Sequence, residues 1–239
     1  AVSLFADVAY EGARSVTGPF LATLGATGAI VGAVAGLGEL AGYGLRLVSG
    51  LLSDHTRRYW AITLVGYAVS LLAIPLLALA GRWEIAAALI VAERLGKALR
   101  SPARDAMLSH AASGLGRGWA FGLHEALDQT GAIAGPLIVA GIVHLGKGWR
   151  AAFAALAAPA LLALALLVYA RFLYPRPDRL EAGQAPVQAG GLGRHFWLYL
   201  GAVALVAAGY VDFPLAAYHF QKDSVMPAAW IPVLYAVAM

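Results

Sequence analysis

Gly50-Leu51-Leu52-Ser53-Asp54-His55-Thr56-Arg57-Arg58 is a short stretch with one acid and two arginines, set between two long apolar runs at 28–52 and 59–80. Each run is about as long as the roughly 20 residues an α-helix needs to cross the hydrocarbon of a bilayer. The runs are rich in Ala, Leu and Gly and lack the period-two alternation of a barrel strand. Hydrocarbon offers no water to backbone polar groups, so such segments satisfy themselves internally, as helices. The pattern continues in both directions. Of the 239 residues, 61% are hydrophobic and 13% charged, with a mean hydropathy of +0.73. Soluble domains are roughly 45–50% apolar and roughly 25% charged. The fold class this predicts is all-α, a polytopic membrane protein.

Cutting the chain at its polar and Gly/Pro punctuation gives apolar stretches near 1–24, 28–52, 59–80, 85–108, 118–144, 150–173, 195–218 and 228–239. Pro175, Pro177, Gly183, Pro186, Gly190 and Gly191 fall together and break helix and sheet alike. The division expected is therefore a six-helix bundle at 1–173, a linker at 174–194, and the first two helices of a second bundle at 195–239. Ala1 to Leu24 has Asp7, Glu11 and Arg14 in its middle and no basic leader, which argues for a first membrane helix rather than a signal peptide. The chain opens at Ala1 inside an apolar run and stops at Met239 inside another, so an incomplete chain is expected.

Lys and Arg accumulate in cytoplasmic loops. Arg57, Arg58, Arg100, Arg104, Arg117, Arg171, Arg176, Arg179 and Arg194 share one face, against Arg82, Lys147, Arg150 and Lys222 on the other. The first face is read as cytoplasmic, which puts the start of the chain and the 174–194 linker inside, in a cell inner membrane. The same bias explains the net charge of +4 and the pI near 9.5 without any nucleic acid. Cysteine is absent. No phosphate loop, zinc spacing or nucleophile elbow occurs, so neither catalytic residues nor a cofactor or metal is expected.

The loop from Gly50 to Arg58 resembles the cytoplasmic signature of the major facilitator superfamily, GxLaDrxGrr. Gly50, Asp54, Arg57 and Arg58 match; His55 replaces the usual Arg and Thr56 the usual Gly. By this resemblance the loop is a gate. Its arginines clamp an acid, for which Asp105 in Arg100-Ser-Pro-Ala-Arg104-Asp105 is the expected partner, and the clamp locks the outward-facing state. A loop that is merely positive-inside reads the same way. A second element, Gly131-Ala-Ile-Ala-Gly135-Pro136, looks like the family's GxxxGP motif, associated with exporters that run as antiporters. Small residues four apart also pack helices in any membrane bundle, and Pro136 removes a helix hydrogen bond.

The resemblance implies the superfamily fold of twelve helices in two halves, here the complete first half and the start of the second. Substrate then binds between the halves near the bilayer midplane, and the halves rock about it. In that fold helices one, two, four and five line or flank the cavity, and three and six pack outside.

Charges at membrane depth are costly, at least about 2.5–3.5 kcal/mol each on insertion scales, and mark pathways. They fall here on the four lining helices. Asp7, Glu11 and Arg14 share a face of the first; Glu39, Tyr43 and Arg46 one of the second; Glu93, Lys97, Arg100 and Arg104 a stripe of the fourth, with Arg94 beside it. Glu125 and the His124/Asp128 pair lie on the fifth. Glu93 and Lys97 are expected to neutralise each other at i,i+4, Arg46 to snorkel to the cytoplasmic edge, and His124 to satisfy a hydrogen bond rather than shuttle protons. Asp7, Glu11 and Asp128 are the proton-carrying candidates, since a desolvated acid can load on one side and unload on the other. Asp212, in Gly-Tyr-Val-Asp-Phe-Pro, faintly echoes Asp7 and Pro19. The expected activity is secondary transport of a small molecule by alternating access, as proton-coupled efflux. The competing reading is a superfamily-like subunit that does not transport and scaffolds a complex in the bilayer.

Overall fold

A computed structural model describes residues 1–112, 116–175, 193–208 and 211–239, and among them no strand occurs. The helices are α1 (Val2–Thr23), α2 (Gly28–Thr56), α3 (Tyr59–Leu76), α4 (Trp83–Ala111), α5 (Arg117–His144), α6 (Gly148–Ala155), α7 (Ala157–Leu173), α8 (Arg194–Ala208), α9 (Phe213–Lys222) and α10 (Trp230–Ala238), with a 3-10 turn at Leu77–Leu79. Most of the expected 174–194 linker, including Arg176, Pro177, Arg179, Gly183, Pro186, Gly190 and Gly191, lies outside the described residues, as does the side chain of Arg117.

The boundaries have local causes. Thr27 caps α2 with an extended backbone and a hydroxyl that accepts the Ile30 N–H at 3.4 Å. The sixth apolar stretch is two helices, not one, because Pro159 supplies no N–H to the carbonyl of Ala155 and the turn opens at Leu156. The seventh is divided between α8 and α9. Pro214 sits in the first turn of α9, where its missing N–H costs nothing.

In the α2 loop the residue in the left-handed conformation that a glycine would favour is Arg57, at φ 52. Its N–H donates to the Ser53 carbonyl at 2.9 Å and closes the helix.

Gly28–Thr56, Tyr59–Leu79, Gly118–His144 and Gly148–Leu173 are long and apolar enough to cross a membrane. The chain is a multi-pass membrane protein. α1 and α4 carry too many charges to pass the same test, and packing takes the place of apolarity. α1 lies at the centre of the bundle, against α5, α7, α9 and α10, and is buried along most of Ser3 to Leu21. Its acids Asp7 and Glu11 are 7% and 8% exposed. The charged α1 is thus inside the bundle.

Close approach of backbones makes this possible. Gly131 and Gly135 of α5 lie directly on the carbonyls of Leu4 and Val8 of α1, so a Cβ at either position would overlap them. Gly18 of α1 meets the Pro214 carbonyl of α9 in the same way. The second contact joins the expected first bundle to the first helices of the next.

Candidate functional site

The charges that α1, α2 and α4 turn inward meet in three tiers. In the outermost, Arg14 of α1 holds Glu39 of α2 at 3.1 Å and Asp212, just before α9, at 3.0 Å. Arg94 of α4 pairs with the same Glu39 and reaches Asp212 at 3.6 Å. Two guanidinium groups therefore share two carboxylates contributed by four different segments. The Arg14 Nη1 also donates to the Tyr10 hydroxyl at 3.3 Å. Arg94 is 6% exposed at its side chain, so its charge depends on these partners.

One turn inward, Lys97 of α4 lies 3.7 Å from the Glu11 carboxylate and 3.3 Å from the centroid of the Tyr10 ring. The Tyr235 hydroxyl of α10 donates to the other Glu11 oxygen at 2.5 Å. A cation over an aromatic face is stabilised when desolvated. This tier corrects the expected pairing of Glu93 with Lys97: the lysine turns to α1, and Glu93 Oε1 stays buried with no hydrogen-bond partner among the described residues. A helical i,i+4 pair contributes only about 0.2–0.5 kcal/mol, so tertiary partners override it easily.

The third tier lies toward the start of α1. Ser3 Oγ meets His124 Nδ1 at 3.1 Å, and His124 Nε2 lies 3.5 Å from Asp128. Glu125 accepts from Gln129 at 3.0 Å. Asp7 forms no ion pair among the described residues. Asp7, Glu11, Lys97 and Asp128 all face one cavity of about 260 Å³, which also takes in Arg46, Asp105 and Glu125. A second cavity, of about 700 Å³, is bounded by Tyr10, Arg14, Glu39, Tyr43, Arg46 and Asp212, with Val203 and Val206 of α8 on its far wall. Glu93 and Arg94 instead border a void of about 20 Å³ beside Tyr10 and Arg14, room for about one water.

α2 runs from Gly28 to Thr56, so Arg46 stands four residues, about 6 Å of rise, from the helix midpoint, and it reaches both cavities. One further expectation differs from the structure: the clamp between the α2 loop and Asp105 is not formed in this conformation. Asp105 pairs with its neighbour Arg104 at 2.9 Å, and among the described residues Asp54, Arg57 and Arg58 have no ion-pair partner. Gly50 packs loosely against Pro102 of α4, at 3.9 Å for an added Cβ. Pro136 follows Gly135 in the α1–α5 contact.

Tyr10 and Tyr235 were not legible as site residues, and neither was the pairing of Arg14 and Arg94 with Asp212. Asp212 alone had a signal, an acid in an otherwise apolar stretch; the tyrosines look like ordinary bundle aromatics until their hydroxyls and rings are placed. Among the described residues no cluster of His, Cys, Asp and Glu is arranged to hold a metal ion.

The model of the Major Facilitator Superfamily matches residues 3–239. Uncharacterized proteins of Mycobacterium tuberculosis and Mycobacterium bovis are 49% identical to this chain over 247 aligned positions, covering 100% of the chain and 60% of each relative. An uncharacterized MFS-type transporter of Methanocaldococcus jannaschii is 31% identical over 134 residues, 56% of this chain and 33% of that protein. The chain thus spans about three fifths of the length of its mycobacterial relatives.

Proposed function

The chain belongs to the major facilitator superfamily, and on that premise we propose that the protein is a secondary transporter that moves a small molecule across the cell inner membrane by alternating access. The observation that carries this reading is the outer ion tier. Arg14, Glu39 and Arg94 lie on the helices of the first bundle and close on Asp212 at the start of α9. Such a network gives two bodies a set of contacts that can be exchanged for others as they rock, which is what alternating access needs.

Proton-coupled efflux is the mode we assign. Asp7, Glu11 and Asp128 are the proton carriers on this reading, because they share a water-sized or larger space with Lys97 and lie on helices packed at the centre of the bundle. The Gly50–Arg58 loop and Asp105 form the cytoplasmic gate, closing when the Arg57 and Arg58 guanidinium groups replace Arg104 on Asp105. Gly131, Gly135 and Pro136 hold α5 on α1 and bend it, which keeps Asp128 beside Asp7. Residues 1–173 are one rocking body, 195–239 begin the other, and 174–194 join them on the cytoplasmic side, where the start of the chain also lies.

The test uses the full-length protein in proteoliposomes with an imposed pH gradient and a dye that reports internal pH. Wild type is expected to exchange substrate for protons. Asp7→Asn and Asp128→Asn should each uncouple the two fluxes. Unchanged coupling in both variants would remove these acids from the proton path, and substrate flux without any proton flux would remove antiport.

A further inference from the structure

Arg46 has no reason of its own to sit where it does. It stands four residues from the midpoint of α2, a helix long and apolar enough to cross a membrane, and an arginine at the centre of such a helix costs at least about 2.5–3.5 kcal/mol. Arg100 is also buried without an ion pair among the described residues, but it lies over the Tyr67 ring and borders neither cavity. The other cations that border the two cavities, with Arg94 beside them, are matched. Arg104 has Asp105. Arg14 and Arg94 share Glu39 and Asp212, and Lys97 has Glu11 and the Tyr10 ring. Arg46 forms no ion pair among the described residues, its Nε is buried without a hydrogen-bond partner, and its guanidinium lies over the Tyr43 ring at 5.0 Å. It is also the residue, with Lys97, at which the 260 Å³ and 700 Å³ cavities meet.

We infer that Arg46 is the recognition site for an anionic group of the substrate, and that the substrate is an organic anion, a carboxylate on an apolar or aromatic body. The inference rests on the transporter reading above and specifies its cargo. Within the larger cavity the acids are already taken: Glu39 and Asp212 each hold two arginines, so a cationic ligand finds no free carboxylate there. An anion does find a free guanidinium, whose planar fork can hold a carboxylate through two hydrogen bonds. Tyr10 and Tyr43 on one side and Val203 and Val206 on the other give the remainder of the ligand an aromatic and aliphatic surface. A space of about 700 Å³ lies within the roughly 300–1,000 Å³ typical of drug-sized ligands. Asp7, which forms no ion pair among the described residues, and Asp128 line the smaller cavity and not the larger, so anion and proton occupy separate compartments that touch at Arg46 and Lys97.

The experiment is a binding titration on the purified full-length protein in phosphatidylcholine nanodiscs. The probes are a series of arylalkanoates, each with its matched amide and amine, followed by ligand-induced thermal stabilisation. The carboxylates are expected to bind about ten- to hundredfold more tightly than their amides, the span of a hydrogen bond to a charged group. Arg46→Gln should abolish that preference without weakening the amides, and Arg46→Lys should keep part of it. Equal affinity for amides or amines, or an unchanged carboxylate preference in Arg46→Gln, would overturn the assignment. So would competition of phosphatidylglycerol with the carboxylates, because the anion at Arg46 would then be a lipid headgroup. Transport in proteoliposomes separates the two levels of the reading. Carboxylates that bind at Arg46 but do not cross sink the transporter reading and leave the site; amines that cross regardless of Arg46 sink the site and leave the transporter.

Discussion

Replacing Asp212 by Asn removes a charge from the outer ion tier and changes almost no volume. In the structure Asp212 lies 3.0 Å from Arg14 and 3.6 Å from Arg94, with its side chain 24% exposed. The bare attraction of one such pair is about 5 kcal/mol at an effective dielectric near 20, and desolvation cancels much of it. Breaking a buried pair on one side costs roughly 3–5 kcal/mol. Here both arginines keep Glu39 and water reaches the site, so the loss expected is about 2 kcal/mol. A double-mutant cycle with Arg94→Gln isolates the longer pair, for which we expect a coupling of about 1 kcal/mol. The assay is equilibrium unfolding of the full-length protein in detergent. An Asp212→Asn variant within about 0.5 kcal/mol of wild type would refute the claim that this acid binds α9 to the first bundle.

Packing and backbone give further expectations. Gly135→Val drives a branched side chain into the Val8 carbonyl and should destabilise by about 3 kcal/mol; Gly44→Ala, with nothing within 4 Å of its added Cβ, should stabilise by about 0.5–1 kcal/mol. Unfolding curves measured side by side test the contrast. Arg57→Gly relieves the left-handed strain at φ 52 and should stabilise by about 1 kcal/mol, read as a raised midpoint, whereas Arg57→Ala should not. Tyr235→Phe removes the hydrogen bond to Glu11 at 2.5 Å and should cost about 2 kcal/mol; equal stability would mean that Lys97 alone satisfies that carboxylate.

How far the sequence could be read depends on the range of each interaction. Membrane helices are local objects. Their apolar lengths are visible along the chain itself, and so is the stripe of charge on α1 or α4, although the stretch at 195–218 was read through Pro214 and is divided between α8 and α9. Partner choice is not local. Arg14 meets Asp212 across 198 positions and Tyr235 meets Glu11 across 224, and nothing near either residue announces the other. Glu93 and Lys97 were misread because i,i+4 spacing is the only pairing a single helix can display, and it is weak enough for Glu11 to displace it. The α2 loop shows another limit: Arg57 takes the left-handed turn, a choice made by backbone geometry at the end of the helix.

Movement of α9 against the first bundle is the central claim, and these 239 residues contain no cysteine, which makes it directly measurable. Gly32 of α2 stands beside Leu215 of α9, with the leucine side chain 4.0 Å from where a Cβ would lie. A Gly32→Cys/Leu215→Cys variant of the full-length protein, with any cysteines outside this segment replaced, can be bridged by a short reducible cross-linker in proteoliposomes and assayed for uptake under a pH gradient. The account predicts that bridging stops uptake and that reduction restores it, with each single variant unaffected by the reagent. Uptake that continues at the wild-type rate with the bridge in place would contradict it.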